Sequence, residues 1–357
     1  MALPDFLPIV RDRMAAGARG SVYDEPELKE TVDLCDGRGR LNPAAVGWSR
    51  APLVRANLSG HWLRKKRWNF WNWISPRFVL SATVADIDYA AFCEVALTDF
   101  ESKRTVTARA SARPGSIDLP EHVERSIAFR RRSVDYRSEH RGDRLEVALR
   151  ARARDGTEIA GEWVVARPPG HESLNIVVPW SDERFQMNSK HAALPTAGEV
   201  RVGDVRYAMR PEECHAVQDF GRGVWPYVSF WNWAVATGVH DGTTVAVNMG
   251  GKWTTGTGVN ENGILLGGRL HKVMEDLVWT YDPADWMKPW RVVSPHTGMI
   301  DLTLAPVVAR SSRISVGFLR SGGVCCFGTW EGRVRVEGGE VELRSVPGWA
   351  EEFDHRW

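Results

Sequence analysis

The tetrapeptide Phe70-Trp71-Asn72-Trp73 recurs as Phe230-Trp231-Asn232-Trp233, an offset of 160 residues from position 70 to position 230. Basic residues precede both copies, Arg64 to Arg67 in one and Arg222 in the other. Strand-like sequence follows both, over residues 77–87 and 235–249. Chance recurrence of four residues that include two tryptophans is improbable, so the pattern predicts duplication of one domain. The Pro- and Gly-containing stretch Leu194-Pro195-Thr196-Ala197-Gly198 is the expected boundary. The predicted organisation is an N-terminal extension over 1–45, a first domain over 46–195 and a second over 196–357.

The domain type follows from residue alternation. Leu145, Val147 and Leu149 alternate with Glu146, Ala148 and Arg150, the period of two that gives a strand one apolar and one wet face. A partner strand over 133–140 precedes the turn Arg141-Gly142-Asp143. Further hairpins are predicted at Gly203-Asp204, Asp241-Gly242 and Gly338-Gly339, where each pair tolerates positive φ. Few stretches beyond residues 9–16 have a helical period. Closely spaced antiparallel strands without intervening helices describe barrels or sandwiches, so the fold class is all-β.

Charge and composition exclude several function classes. Lys and Arg total 46 against 45 for Asp and Glu, so no global positive charge draws the chain to nucleic acid. The opening MALPDFLPIVRDRM carries Asp5 and Arg11 where a secretory apolar block would be continuous, and no apolar run is long enough to span a bilayer. A cytoplasmic protein is expected, monomeric or homodimeric. Five cysteines without a C-x-x-C pair are expected to be reduced and mostly buried. His215, His240, His271 and His296 lack metal-ligand spacing, so no metal is predicted, and no nucleotide fingerprint or G-x-S-x-G elbow calls for a cofactor.

The chain holds 17 tryptophans. Clustered indoles serve either broad packing between sheets or the wall of a ligand cavity. In the second half, Asp219-Phe220-Gly221-Arg222 is expected to leave the ladder as a loop, where Asp219 and Arg222 could form either a structural ion pair or an orienting one. The stretch 248–263 is too polar and Gly-rich for continuous core and is predicted to be a strand leading into a long turn. It carries Asn248, Trp253 and Glu261. A carboxyl group walled by tryptophan has its charged form disfavoured and becomes a usable general acid near neutrality. Asp219, Glu261 and His271 are therefore the proton-transfer candidates, with Arg222 setting charge state. Arg64 to Arg67 would either face solvent or make peripheral contact with an anionic membrane.

The motifs Asp219-x-Gly221-Arg222-Gly223-x-Trp225-Pro226-Tyr227, Asn248-x-Gly250-Gly251-Lys252-Trp253-Thr254-x-Gly256-Thr257-Gly258-x-Asn260-Glu261 and Gly268-Arg269-Leu270-His271-Lys272, with the second tetrapeptide between the first two, resemble those of a largely bacterial family, domain of unknown function 2804. That family is distantly similar to calycin-type proteins such as carotenoid hydratases and tocopherol cyclases. The resemblance implies two tandem lipocalin-like antiparallel β-barrels, although the histidine and tryptophan that the hydratases carry near the acidic residue are absent from Asp219 to Arg222.

The function expected on these grounds is binding of an elongated apolar molecule, an isoprenoid, polyene or acyl compound. Trp71, Trp73, Trp231, Asn232, Trp233, Asn248 and Trp253 would line the site. Cofactor-independent lyase, hydratase, isomerase or cyclase chemistry would use Asp219, Glu261, Arg222 and His271. A non-catalytic lipid carrier and a glycan-active or glycan-binding protein are the alternatives.

Overall fold

The computed structural model describes residues 21–316 and 319–356; the helical-period stretch predicted over 9–16 lies outside the described residues. Two curled antiparallel sheets account for most of the chain. The first runs in the order Thr105–Ala112, Ala91–Asp99, Phe78–Asp86, Lys65–Ile74, His215–Val224, Phe185–Val202, Glu158–Ala166, Arg144–Arg152, Val134–Arg141 and Ile127–Arg131. It curls until its ends approach, where Ser133 Oγ donates to the Arg109 carbonyl at 3.3 Å. The result is a nearly closed barrel. The second sheet centres on Val228–His240, flanked by Thr243–Gly251 and Gly339–Arg356, and continues through Leu319–Val336 and Ile300–Val316 as a half-barrel. The tandem all-β architecture matches the expectation.

The hairpins form as their turn residues dictate. Val202 pairs with Val205 around Gly203-Asp204, and His240 with Thr243 around Asp241-Gly242. Asp241 and Gly242 both adopt positive φ, +48° and +76°, the conformation a two-residue hairpin of right-handed twist requires. Near the C-terminus Val336 pairs with Gly339, so the turn is Glu337-Gly338, one residue earlier than predicted.

The strand that carries Asp219 and Arg222 belongs to the first sheet, not the second. His215–Val224 pairs on one side with Lys65–Ile74 and on the other with Phe185–Val202. The chain changes sheet between Val224 and Val228, and position 195/196 lies inside the continuous Phe185–Val202 strand. The pairing register shifts between His191 and Leu194, and Pro195 stands just beyond that bulge, opposite His215. The same pairing corrects the expectation of a loop at Asp219 to Arg222. Gly221 and Gly223 serve close approach: a Cβ on Gly221 would meet the Trp68 ring at 2.1 Å.

The repeated tetrapeptide occupies a central strand in both sheets but faces opposite ways. Trp71 and Trp73 point into the first barrel, where they stack at 5.7 Å and Trp163 meets Trp73 edge-on at 4.8 Å. Each such buried ring contributes on the order of 2 kcal/mol. In the second sheet Ala234 and Ala236 face the sheet's own core, so alternation turns Trp231 and Trp233 outward into the seam between the two sheets. Phe70 reaches the same seam from the first sheet and packs against Trp233 at 5.8 Å.

Residues 21–49 tie the sheets together. Gly47–Ser49 pairs with Leu174–Pro179 beside the first sheet, while Tyr23 N–H donates to the Met274 carbonyl and Glu25 pairs with Lys272 at 2.8 Å. All five cysteines are buried and free of disulfides.

Candidate functional site

The polar centre of the molecule lies in the seam. Alternation along Phe185–Val202 sends Asn188 and Lys190 towards the second sheet, and the register places Lys190 opposite Asp219. Glu261 comes from the other side, on the loop that follows Thr243–Gly251. Lys190 Nζ lies 2.9 Å from Glu261 Oε2, 3.6 Å from Asp219 Oδ2 and 3.8 Å from the centre of the Trp233 ring.

Each carboxyl is oriented by an indole. Trp68 Nε1 donates to Asp219 Oδ2 at 3.2 Å, Trp253 Nε1 donates to Glu261 Oε1, and Trp231 Nε1 donates to Glu351 Oε1 at 2.8 Å. Asn188 Nδ2 also donates to Asp219 Oδ1 at 2.6 Å. Behind it runs a chain of donors, Trp225 Nε1 to Gln186 Oε1 and Gln186 Nε2 to Asn188 Oδ1. Around this centre Trp225 meets Trp180, Trp231 and Trp253 with centroids 5.0 to 5.9 Å apart. Trp68, Phe70, Trp180 and Trp231 keep part of their surface accessible.

The electrostatics follow from burial. At an effective dielectric of about 20, an ammonium and a carboxylate this close gain roughly 5 kcal/mol, comparable with what each ion loses on leaving water. Burial works against the Lys190 charge, but Asp219 and Glu261 together outweigh it and raise its pKa. Burial raises Glu261 against the opposing pull of Lys190 and the Trp253 N–H. Burial raises Glu351 to about 7, opposed by the Trp231 N–H, Lys190 and Arg310. One buried ammonium therefore faces three carboxyl groups, and the site retains a proton near neutral pH.

The residues singled out from sequence do not all meet. Asp219, Glu261, Trp231, Trp233, Asn248 and Trp253 come together in the seam, where Asn248 Oδ1 accepts from Trp233 Nε1 at 2.8 Å. Arg222 points to the opposite face of its strand. It donates to the Trp68, Gly221 and Pro120 carbonyls and to Asn69 Oδ1, and its guanidinium lies 3.7 Å over the Phe220 ring. Asp219 and Arg222 are three apart on a strand, so they cannot share a face. Trp71 and Trp73 lie in the first barrel's core, and Asn232 faces inward in the second sheet, donating to Tyr281 Oη at 3.3 Å. His271 is half-buried on the edge strand Arg269–Lys272, where Lys272 turns inward instead.

The stretch 248–263 is the end of the strand Thr243–Gly251 followed by a long turn, as expected, with Gly256 and Gly258 exposed; within it Thr254, Asn260, Glu261 and Asn262 are each no more than 1 % exposed. Its polar groups are satisfied internally, for example Asn262 Oδ1 accepting from Gly250 N–H at 2.7 Å. The basic run 64–67 is committed within the fold. Arg64 donates to the Trp225 carbonyl, Lys65 and Arg67 pair with Asp88, and Lys66 is buried.

Sequence reasoning missed Lys190, Asn188, Trp68, Trp225 and Glu351 as members of the site. For Lys190 a signal existed: Asn188 and Lys190 alternate with the small residue Ser189 in a strand flanked by apolar positions. For Glu351 none did, because its place opposite Trp233 is set by the register of two strands far apart in sequence.

The family model described as Domain of unknown function (DUF2804) matches residues 25–357. The chain belongs to that family. No curated protein matches it significantly. Among solved structures, the chain is similar to kievitone hydratase from Nectria haematococca, with 10% identity, 82% of this chain and 89% of that one covered, and a TM-score of 0.46. It is also similar to CghA with Sch210972, at 11% identity, the same two coverages and a TM-score of 0.41. No helix among the described residues of this DUF2804 protein is long and apolar enough to cross a membrane.

Proposed function

We propose that this DUF2804 protein is a cofactor-independent acid–base catalyst acting on an elongated apolar molecule, an isoprenoid, polyene or acyl compound, held against the tryptophan wall of the seam. The observation that supports this reading best is the charge imbalance of the site: Lys190 faces Asp219, Glu261 and Glu351 together. Glu351, with its pKa near 7, is the proton donor. Its proton passes to an alkene carbon, where the π electrons make the new C–H bond, or to a carbonyl oxygen, where a lone pair makes the new O–H bond.

The positive charge left on the ligand lies among the Trp231 and Trp233 faces and the carboxylate of Asp219. Asp219 then removes a proton from a carbon next to the cationic one, or activates a water that adds to the cationic carbon. The first outcome is isomerisation, or ring closure where a second double bond of the ligand attacks the cation before the proton leaves, and the second is hydration. Lys190 is a positioning residue that holds Asp219 and Glu261 in place by charge.

Native mass spectrometry of protein purified from its host, with extraction and identification of any retained molecule, tests this on wild type, Glu351→Gln and Asp219→Asn. An apolar molecule that is chemically altered in wild type relative to both variants is the expected result. The same unaltered molecule in all three assigns a carrier, and the absence of any apolar molecule overturns the seam as its binding site.

A further inference from the structure

The first barrel stops short of closing, and the strand Thr105–Ala112 keeps one edge free, since it pairs only with Ala91–Asp99. The Asp99 N–H donates to the Arg104 carbonyl at 3.0 Å, so the even-numbered residues of this strand spend their backbone groups on that partner. Alternation turns the N–H and C=O of Thr105, Thr107, Arg109 and Ser111 to the open side. The Arg109 carbonyl shows that direction, because it accepts from Ser133 Oγ across the gap. The side chains of the same four residues are exposed, while Ala108 and Ala110 face the core.

Beside this edge runs a groove of about 1040 Å³, bounded on its far side by residues 132–133 and 152–155. Five exposed arginines line it, Arg104, Arg109, Arg132, Arg152 and Arg154, against the two carboxylates Glu94 and Asp155. Glu94 is engaged by Arg109 at 3.5 Å, and Asp155 accepts from the Thr157 N–H of its own turn at 3.0 Å. Among the described residues, no carboxylate lies within ion-pair distance of Arg104, Arg132, Arg152 or Arg154. Arg152 Nη1 donates to the Gly156 carbonyl at 3.2 Å, which orients the guanidinium without neutralising it.

Backbone and charge together select the occupant. A free strand edge matches the main chain of another extended polypeptide, and from Thr105 to Ser111 it is about 20 Å long, room for roughly six residues. Guanidinium groups on both banks of the groove call for carboxylates on that polypeptide, which they can take in bidentate geometry. Its alternate residues would extend the face of Val106 and Ala108, which pack on the barrel core, so those are apolar. A second copy of this edge would set arginine against arginine, and like charge disfavours that pairing. No aromatic ring lines the groove, which leaves nothing for the bases of a nucleic acid strand to stack on.

We infer that the free edge of Thr105–Ala112 is a docking site for an extended segment of a partner protein in which acidic and apolar residues alternate. The segment adds a strand to the first barrel, and its carboxylates meet Arg104, Arg132, Arg152 and Arg154. The groove shares no residue with the seam and is independent of its chemistry.

Fluorescence anisotropy at low salt, with a labelled hexapeptide of alternating glutamate and valine as the probe, tests the assignment. Wild type should bind it saturably, one per chain, and should not bind the lysine and valine counterpart. A strand edge uses only one alternate set of the peptide's amides, so N-methylation of that set should weaken binding at least tenfold more than N-methylation of the other. Arg132→Glu combined with Arg154→Glu should weaken it at least tenfold, while Arg206→Glu, on the exposed hairpin strand Val205–Met209, should match wild type. Absence of saturable binding to wild type, equal effects of the two methylations, or equally tight binding of an oligothymidylate overturns the proposal whether or not the variants fold. So does a folded double variant with unchanged affinity.

Discussion

Lys190 and Glu261 meet at 2.9 Å across the seam, one from a strand of the barrel and the other from a loop of the half-barrel. The pair joins the two sheets through charge at a place that is otherwise aromatic. Its removal therefore acts on folding as well as on chemistry.

Lys190→Met leaves Asp219, Glu261 and Glu351 without their shared cation. Loss of one partner of a buried ion pair costs about 3–5 kcal/mol, and the full cost should be seen at pH 8, where the carboxyls are driven to ionise. At pH 5 protonation relieves the repulsion, and the variant should recover part of the difference from wild type. Urea denaturation of both proteins at the two pH values measures this. An equal loss at both would mean that Lys190 acts through packing alone.

Glu351 carries its own pH signature. Its folded-state pKa, about 7, lies above the ordinary 4.5, so the folded protein holds a proton that the unfolded chain has released. That contribution is complete below pH 4.5 and is lost as pH rises through 7. The shift corresponds to a ceiling of about 3 kcal/mol. Glu351→Gln keeps an acceptor for Trp231 and removes the titration, so the stability difference, variant minus wild type, should grow between pH 4.5 and 7 and level off above. A difference that stays flat over this range would exclude Glu351 as the group holding the proton.

Gly250 makes room for Glu261: a Cβ there would meet Glu261 Cγ at 2.1 Å and Oε1 at 2.4 Å. Gly250→Ala should push the carboxyl away from Lys190 and destabilise the protein by roughly 1–3 kcal/mol. Gly238→Ala is the control, since its Cβ would find only ordinary contacts at 3.7 Å with Pro347 and Val346. It should be neutral or slightly stabilising. Thermal melts that rank the two substitutions the other way would contradict this account of the seam.

Much of this architecture was legible in the sequence because strand signals are local. Alternation at 145–150 and the Asp241-Gly242 turn act through neighbours in the chain, and the family motifs bracket the loop that holds Glu261. The side-chain face was not legible. Trp71 and Trp231 stand at the same place in identical tetrapeptides, yet one is core and the other lines the seam.

The reason is that a strand has two faces, and its own residues do not say which one its sheet will curl around. Burial of Ala234 and Ala236 against the second core, and of Trp71 and Trp73 against the first, decided it. The sequence by itself determined an all-β chain rich in tryptophan with the acidic residues Asp219 and Glu261 among its motifs. Only tertiary structure brought Lys190 and Glu351 to them, because register between distant strands and the meeting of two sheets are set by packing over the whole molecule.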